Sequence, residues 1–251
     1  MKHLFAAESR DVLPQLAWSR VLLAFDFDGT LAPIVPNHEE AVMRAHTQKL
    51  LARVATRYPC AVISGRARQD VERRLERVKI PYVVGNHGIE PAVDMERFRR
   101  RAAGALPVLR AELAAFSGVE IEDKKYSLAV HYRKARKKRE ARAAIGAALA
   151  RLPYEMRAIP GKLVVNLVPE GAPDKATALL RIRAEARTDI ALYVGDDVTD
   201  EDVFRLDEPG RLLAVRVGRS KFSAASYFLR DQREIDRLLS TLAGLRDEVS
   251  S

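Results

Sequence analysis

The stretch LLAFDFDGTLAPI, positions 22–34, decides how the rest of the chain is read. Its first half is apolar enough to lie inside a sheet. It then ends in two aspartates, Asp26 and Asp28, with only Phe27 between them. Burying even one carboxylate is costly unless something pairs with it. The stretch predicts a buried strand whose carboxyl end is a site, with partners brought in from elsewhere in the chain.

Four other apolar runs share the character of the first, VLLAFDF (21–27): CAVIS (60–64), PYVVG (81–85), IALYVG (190–195) and LLAVRVG (212–218). They are near-continuous rather than alternating, as expected of strands covered by helices on both faces. Segments of helical spacing lie between them, at 39–58, 66–78, 173–186 and 199–206, and a last one at 231–249 closes the chain. This alternation predicts an α/β fold, a Rossmann-like, doubly wound parallel sheet. The middle differs. Two long helical segments, 97–116 and 135–152, accompany the strand-like stretches VEIED, YSLAVHYR, YEMRAI and KLVVNLV. Polar and apolar residues alternate in YSLAVHYR, so one face of that second sheet is open or binds something. The expected organisation is a core of residues 1–88 and 170–251 with a smaller α+β domain, 89–169, inserted into it.

The 251 residues are 47% hydrophobic and 31% charged, the balance of an ordinary soluble domain pair with real cores. A single cysteine, Cys60, excludes an internal disulfide and a cysteine-based zinc site. The first residues lack the long apolar core of a signal peptide, and no stretch reaches the roughly 20 apolar residues of a membrane span. A cytoplasmic monomer is expected, without membrane contact. The net charge of +9 is concentrated in RFRRRAAG and RKARKKREAR, both on helical segments with alanine-rich apolar faces. No aromatic interleaving accompanies them, so they are read as solvated faces rather than a nucleic-acid surface. A positive field that draws in an anionic small substrate is the intermediate reading.

In open parallel sheets the chemistry sits at the carboxyl ends of the strands. The first run ends there in Asp26 and Asp28, and the second in Ser64, Gly65 and Arg66. The third ends in Asn86 and His87, and the fourth in Asp196, Asp197 and Asp200. Lys175 opens the helix after Pro173-Asp174. Acidic groups from two strands converging on one edge make an oxygen-only site for a hard cation, and Mg2+ suits carboxylates plus water. Ser64, Lys175 and backbone N–H groups around Phe27, Gly29 and Gly65 are expected to hold phosphate oxygens. Together these groups read as phosphoryl transfer. Asp26 is the expected nucleophile and Asp28, on the same side of an extended chain, the general acid and base. Thr30 is expected to fix the Asp28 carboxyl. Each piece also has a plain reading alone: Asp-Gly as a turn, Ser64 or Thr199 as a helix cap, Lys175 as a solvated lysine, His87 and His131 as structural. Their joint occurrence, in order and each at a strand end, favours a site.

These residues resemble the four motifs of the haloacid dehalogenase superfamily of phosphatases. DFDGTLAPI, VISGRA, GNHGIE, the spacing from Glu122 to Arg133 and YVGDDVTDEDVF resemble, within it, the trehalose-6-phosphate phosphatases. The resemblance implies a cap domain between the second and third motifs that closes over a sugar phosphate. It implies Mg2+ ligands at Asp26, the Asp28 backbone carbonyl and Asp196, with Asp197 and Asp200 supporting. It further implies phosphate contacts at Ser64, Gly65 and Lys175. Substrate contacts are expected at Arg66, Asn86 and His87, and on the cap side at Glu122, Lys124, His131, Arg133, Lys162 and Asn166. The family usually has Glu-x-Arg-Pro where this chain has Asn166-Leu167-Val168-Pro169, and glycine where it has Ala176. Asn166 still bonds hydroxyls, with different polarity, and Val168 cannot pair with an anion. A phosphatase for another glycosyl phosphate, such as mannosyl-3-phosphoglycerate or glucosylglycerol phosphate, therefore stays open. So does a non-catalytic sugar-phosphate sensor, although that class would be expected to lose Asp26, Asp28 or Lys175.

Overall fold

A computed structural model describes residues 1–36, 38–75, 77–92, 94–206 and 208–247. Positions 76, 248 and 249, which fall in expected helices, lie outside the described residues. The chain divides into two compact units, Met1–Gly88 with Asp174–Ser251, and Ile89–Pro173.

The first unit begins with β1 (Lys2–His3), α1 (Val12–Ala17), β2 (Val21–Phe25), α2 (Ala45–Ala55), β3 (Cys60–Ile63), α3 (Arg68–Arg74) and β4 (Tyr82–Val84). The second unit follows, with α4 (Met95–Leu113), β5 (Glu120–Asp123), β6 (Leu128–His131), α5 (Lys138–Leu149), β7 (Met156–Gly161) and β8 (Val164–Pro169). The chain then completes the first unit with α6 (Lys175–Glu185), β9 (Ile190–Gly195), α7 (Glu201–Phe204), β10 (Leu212–Val217), β11 (Tyr227–Leu229) and α8 (Glu234–Asp247).

All seven strands of the first unit run parallel, in the order β1-β11-β10-β9-β2-β3-β4. All five residues of β2 are buried, because successive side chains feed cores on opposite faces. Val21, Leu23 and Phe25 join Leu51 and Val54 of α2 and Leu238, Leu239 and Leu242 of α8. Leu22 and Ala24 join Leu179 and Ile182 of α6, with Tyr193 and Phe204. From β2 the chain builds outward to β3 and β4 on one side. It returns through β9 on the other side, so the topological switch point lies between β2 and β9. This is the doubly wound α/β sheet expected from the alternation of runs.

Local differences have identifiable causes. The helix expected from position 39 is split into a single 3-10 turn, His38–Glu40, and α2, which begins at Ala45; Arg74 donates to the carbonyls of Glu39 and Ala41 where the two part. The strand expected to reach Phe27 stops at Phe25. Beyond it the chain folds back, with Ala32 N–H donating to Phe27 O and Gly29 N–H to Ala32 O, both at 2.8 Å. The helix expected at 199–206 shortens to Glu201–Phe204 behind a tight turn at Val198–Asp200. Two short strands, β1 and β11, were not expected, two or three residues being too few to show a period, nor was α1, six residues with Pro14 among them.

The second unit is an antiparallel sheet of order β5-β6-β8-β7 with two helices. Leu128, Val130, Val165 and Leu167 of its sheet pack against Ala102, Ala105 and Leu109 of α4 and Ala141 and Ile145 of α5. The basic runs occupy the opposite, exposed sides of these helices, where Arg99 pairs with Glu96 (2.6 Å) and Lys137 with Glu140 (3.1 Å). Among the described residues no helix is long and apolar enough to cross a membrane.

Cys60 starts β3 fully buried, and burial pushes its thiol up to about 12. In the native protein it is therefore expected to resist a disulfide reagent at pH 8 and to react with one equivalent once unfolded in denaturant. Rapid native-state labelling would contradict this packing.

Candidate active site

Asp26 is the first residue past β2, and its N–H still donates to Val194 O on β9 (2.8 Å). β9 ends at Gly195, and Asp196 follows. The two strand ends at the switch point thus each deliver a carboxylate to one place. Oxygens of Asp26, Asp196 and Asp200 all lie within 4.8 Å of one another.

Lys175 reaches the same place as the first residue of α6. Its helix start is fixed by Asp174, whose Oδ1 accepts from the N–H (2.8 Å) and hydroxyl (2.7 Å) of Thr177. Lys175 Nζ donates to Asp26 Oδ1 at 2.8 Å and to Asp200 Oδ1 at 2.7 Å, and all three side chains are buried. Asp200 is saturated. Its Oδ1 also accepts from the Tyr193 hydroxyl (2.7 Å), and its Oδ2 from the N–H groups of Asp196 (2.8 Å) and Asp197 (2.9 Å). Asp197 itself is exposed.

Ionised, the three carboxylates carry two more negative charges than Lys175 balances, and they do so out of water. Burial, with repulsion among the carboxylates, raises Asp26 to about 8 and Asp196 to about 9 in the metal-free protein. Lys175 is itself pushed well up: burial opposes its charge, but Asp200 and Asp26 outweigh it. Asp196 Oδ1 is buried with no hydrogen-bond partner. At Gly29, where φ is +81°, a Cβ would lie 2.2 Å from Asp196 Oδ2, so only glycine lets the loop accept that carboxylate. Three carboxylates for one ammonium, an unpartnered buried oxygen and all-oxygen donors fit a hard divalent cation. Asp26 and Asp196 are the residues with oxygens to give it; Asp200 supports them by holding Lys175 and the 196–197 backbone.

Asp28 is placed differently from expectation. Strand β2 stops at Phe25 and the chain turns at Phe27 before Asp28 makes an isolated bridge to Ala32, so the every-second-residue argument does not position it. Nor does Thr30, whose buried Oγ1 has no hydrogen-bond partner. Arg66 holds it instead, in a two-bond fork from Nε to Oδ2 (2.6 Å) and Nη2 to Oδ1 (2.7 Å). Arg66, expected to contact substrate, is thus spent on Asp28 and, through Nη1, on Asp70 (2.8 Å).

Ser64 is buried at the end of β3, and its Oγ accepts from Arg66 N–H (3.2 Å), closing the turn. Asn86 and His87, both buried and both at positive φ (50° and 60°), back that turn. Asn86 N–H donates to Arg66 O (2.6 Å) and His87 N–H to Ser64 O (2.9 Å). A Cβ at Gly65 would lie 2.4 Å from His87 Cε1, so the residue there has to be glycine for the imidazole to lie against the turn.

In the second unit, register aligns Glu122, Ala129, Asn166 and Ile159 in one row across the sheet, on the face opposite Leu128, Val130, Val165 and Leu167. Glu122 Oε2 bonds His131 Nε2 (2.9 Å) and lies 4.0 Å from Lys124 Nζ. Glu122, Lys124 and His131 therefore cluster, and Asn166 shares their face. Arg133, just past β6, and Lys162, in the β7–β8 turn, are exposed. Val168, where the pattern departs from the resembled family, is fully buried in an apolar cluster with Ile89, Phe98, Tyr126 and Ile159.

With this geometry in view, comparison with known proteins is decisive. The trehalose-phosphatase family matches residues 24–233. The chain belongs to the trehalose-phosphatase family. The trehalose-phosphate phosphatase of Mycobacterium tuberculosis is 36% identical over 199 residues, covering 74% of this chain and 51% of that protein. The chain therefore spans about half the length of the mycobacterial relatives it matches. A trehalose 6-phosphate phosphatase of Zea mays is 30% identical over 267 aligned residues, covering 94% of this chain and 73% of that protein. In fold, the chain is similar to the C-terminal domain of a Candida albicans trehalose-6-phosphate phosphatase, with a TM-score of 0.76 at 23% identity over 94% of this chain and 96% of that one.

Several residues around the trehalose-phosphatase motifs were not found from sequence. Tyr193 had a signal: it is the one hydroxyl in an otherwise apolar buried strand, and a buried phenol needs a partner. Gln232 had none. Its amide donates to Thr30 O (2.9 Å) and Leu31 O (3.1 Å) from about two hundred positions away and steadies the loop after Asp28. Arg216, which donates to the carbonyl of Asp196 and to Glu201 (3.0 Å), likewise lay outside every motif.

A pH dependence follows for the metal-free protein. Carboxyls held above their unfolded values stabilise the fold while protonated, and that contribution is lost as pH rises through their folded values of about 8 and about 9. In the presence of a chelator, the melting temperature of the wild type relative to Asp196→Asn should fall as pH rises from about 5 to about 9. Parallel curves would contradict the charge assignment.

Proposed function

We propose that this chain hydrolyses trehalose 6-phosphate to trehalose and phosphate, with the phosphoryl group passing through Asp26. The observation that carries the reading is the buried arrangement of Lys175, Asp26, Asp196 and Asp200 at the switch point of a trehalose-phosphatase fold. Relatives named as trehalose-phosphate phosphatases support the substrate. In this reading residues 1–88 and 170–251 form the phosphatase core, and 89–169 the sugar-recognition domain. A cytoplasmic location accords with the single, unpaired cysteine.

Mg2+ would be held by Asp26 and Asp196, with the Asp28 carbonyl, and when bound it supplies Lewis-acid stabilisation of charge on the transferring phosphoryl group. The rest is the work of the chain. Lys175, already on Asp26 Oδ1, aligns that carboxylate and offers its ammonium to the phosphoryl oxygens. The Ser64–Gly65 turn presents a hydroxyl and backbone N–H groups to the same anion. Asp26 attacks phosphorus, the bond from phosphorus to the sugar oxygen breaks, and Asp28 gives its proton to the departing alkoxide. Water then attacks the aspartyl-phosphate, Asp28 takes the proton, and phosphate leaves with Asp26 restored. Glu122, Lys124, His131 and Asn166 supply the donors and acceptors for sugar hydroxyls, where an unmatched partner is heavily penalised.

Asn166 supports a second reading, a different glycosyl phosphate, because an amide replaces the family's carboxylate on the polar face of the second sheet. Val168 does not add to it, being buried in packing.

Phosphate release from a panel of sugar phosphates, with and without Mg2+, tests both readings. Release from trehalose 6-phosphate well above the others, lost with chelator and reduced at least about a thousandfold in Asp26→Asn, is the expected outcome. Preference for another glycosyl phosphate would move the substrate and leave the mechanism; activity retained in Asp26→Asn would remove the mechanism.

A further inference from the structure

The carboxylate assigned to proton transfer is held by an arginine, and that arginine is itself held. Arg66 is almost entirely buried and grips Asp28 through two nitrogens; its third, Nη1, is fixed by Asp70 Oδ2 at 2.8 Å. Its guanidinium also lies 5.8 Å from the centre of the Phe27 ring. Asp70, in the first turn of α3, is a hub. Its Oδ2 also accepts from Arg74 Nε (2.9 Å), and its Oδ1 from Arg73 Nη2 (3.0 Å). Arg74 in turn reaches the carbonyls of Glu39 and Ala41. Burial works to raise the Asp70 carboxyl, but the bonds from Arg74 and Arg66 outweigh it and hold it below the usual carboxylate range. Asp70 is thus an anchored anion with its own helix behind it, and Arg66 is stretched between it and Asp28.

We propose that Asp70 is a positioning residue for catalysis: through Arg66 it fixes the orientation in which Asp28 meets the leaving oxygen. The inference rests on the role given to Asp28 above. It explains why the carboxylate needs no bond from Thr30 and why Arg66 is committed before any substrate arrives. A small displacement of a proton donor costs rate far more than it costs binding.

The leaving group separates positioning from packing. A sugar alkoxide needs a proton as it departs, whereas p-nitrophenolate does not. Asp70→Asn keeps the size of the side chain and removes its charge. It is expected to slow single-turnover phosphoryl loss from the preferred sugar phosphate about tenfold, with KM within about twofold, while the pre-steady-state burst of p-nitrophenolate from p-nitrophenyl phosphate keeps its wild-type rate. Combined with Arg66→Met, Asp70→Asn should add nothing further, because it acts only through that arginine. Glu72→Gln, on the same helix but paired with Arg68, should change neither rate. Equal losses on the two phosphate esters, or additive losses in the double variant, would overturn the proposal. Arg66→Lys keeps the charge and loses the fork, so it reads the same ratio if Asp70→Asn folds poorly; an unchanged ratio there would equally overturn it. A wild type active on both esters with equal losses in the variants strikes this inference alone. A wild type inactive on every ester removes the phosphatase reading and this inference with it.

Discussion

The first unit is organised around one buried ammonium that has two carboxylates to satisfy. Lys175 lies between Asp26 and Asp200, and it can balance only one of them. Asp200 collects four donors, the ammonium among them. The excess charge falls on Asp26 and Asp196, which burial and mutual repulsion drive toward protonation. A core designed for stability would replace such a cluster with apolar side chains, since buried ions rarely recover the cost of leaving water. What the cluster provides instead is a place where a cation is strongly wanted and where the carboxylate proposed as nucleophile is held by an ammonium. The β2–β9 pairing, the helix cap at Asp174 and the close approach allowed by Gly29 each serve to assemble it.

The parts of this that were legible in the sequence are those encoded over short range. The run from Val21 to Phe25 is apolar at every position, and that alone predicts a strand covered on both faces. Asp26, Lys175, Asp196 and Asp200 sit at the ends of such runs or the starts of helices, so the sheet's parallel topology sufficed to bring them together. Asp28 shows where this kind of reasoning fails. Its place depends on a backbone that folds back after Phe27 and on a guanidinium from another strand end, and neither is contained in a local period. Gln232, Arg216 and Asp70 are further cases: each acts on backbone or side chains remote in sequence, and long flexible side chains leave no periodic trace.

The second unit shows the same distinction on a smaller scale. Alternation in YSLAVHYR was enough to give its sheet two unlike faces, and register then places Glu122, His131 and Asn166 on the face opposite Leu128, Val130, Val165 and Leu167. Ala129 lies between Glu122 and Asn166 in the row, a small residue flanked by polar ones, so two hydrogen-bonding groups face across a low floor. Strand spacing sets them about 10 Å apart. Val168 could not have been sorted from sequence. It belongs to the same strand and, by register, the same face as Asn166, yet an apolar cluster claims it. Of the two departures from the family pattern at the return of the chain, Val168 is thus a matter of packing, and Asn166 alone bears on the substrate proposed above.

The two aspartates that opened the sequence are fixed by opposite means, and the difference matches the role proposed for each. Asp26 is buried and held by an ammonium that is buried with it, as suits the proposed nucleophile, which would gain from losing its water shell and attack along one line. Asp28 keeps more than a third of its side chain exposed, and its fork comes from a guanidinium anchored on the far side by Asp70. A group that gives a proton in one step and takes one from water in the next has to remain open to water. Solvation gives no orientation, so orientation has to be supplied by a partner that is itself immobile. Arg66 meets that need because its fork defines a plane as well as a distance. A lysine at the same position would supply the charge without the plane. The Asp-x-Asp pair is therefore two residues apart in sequence but belongs to two separate supporting structures, one behind α6 and one behind α3.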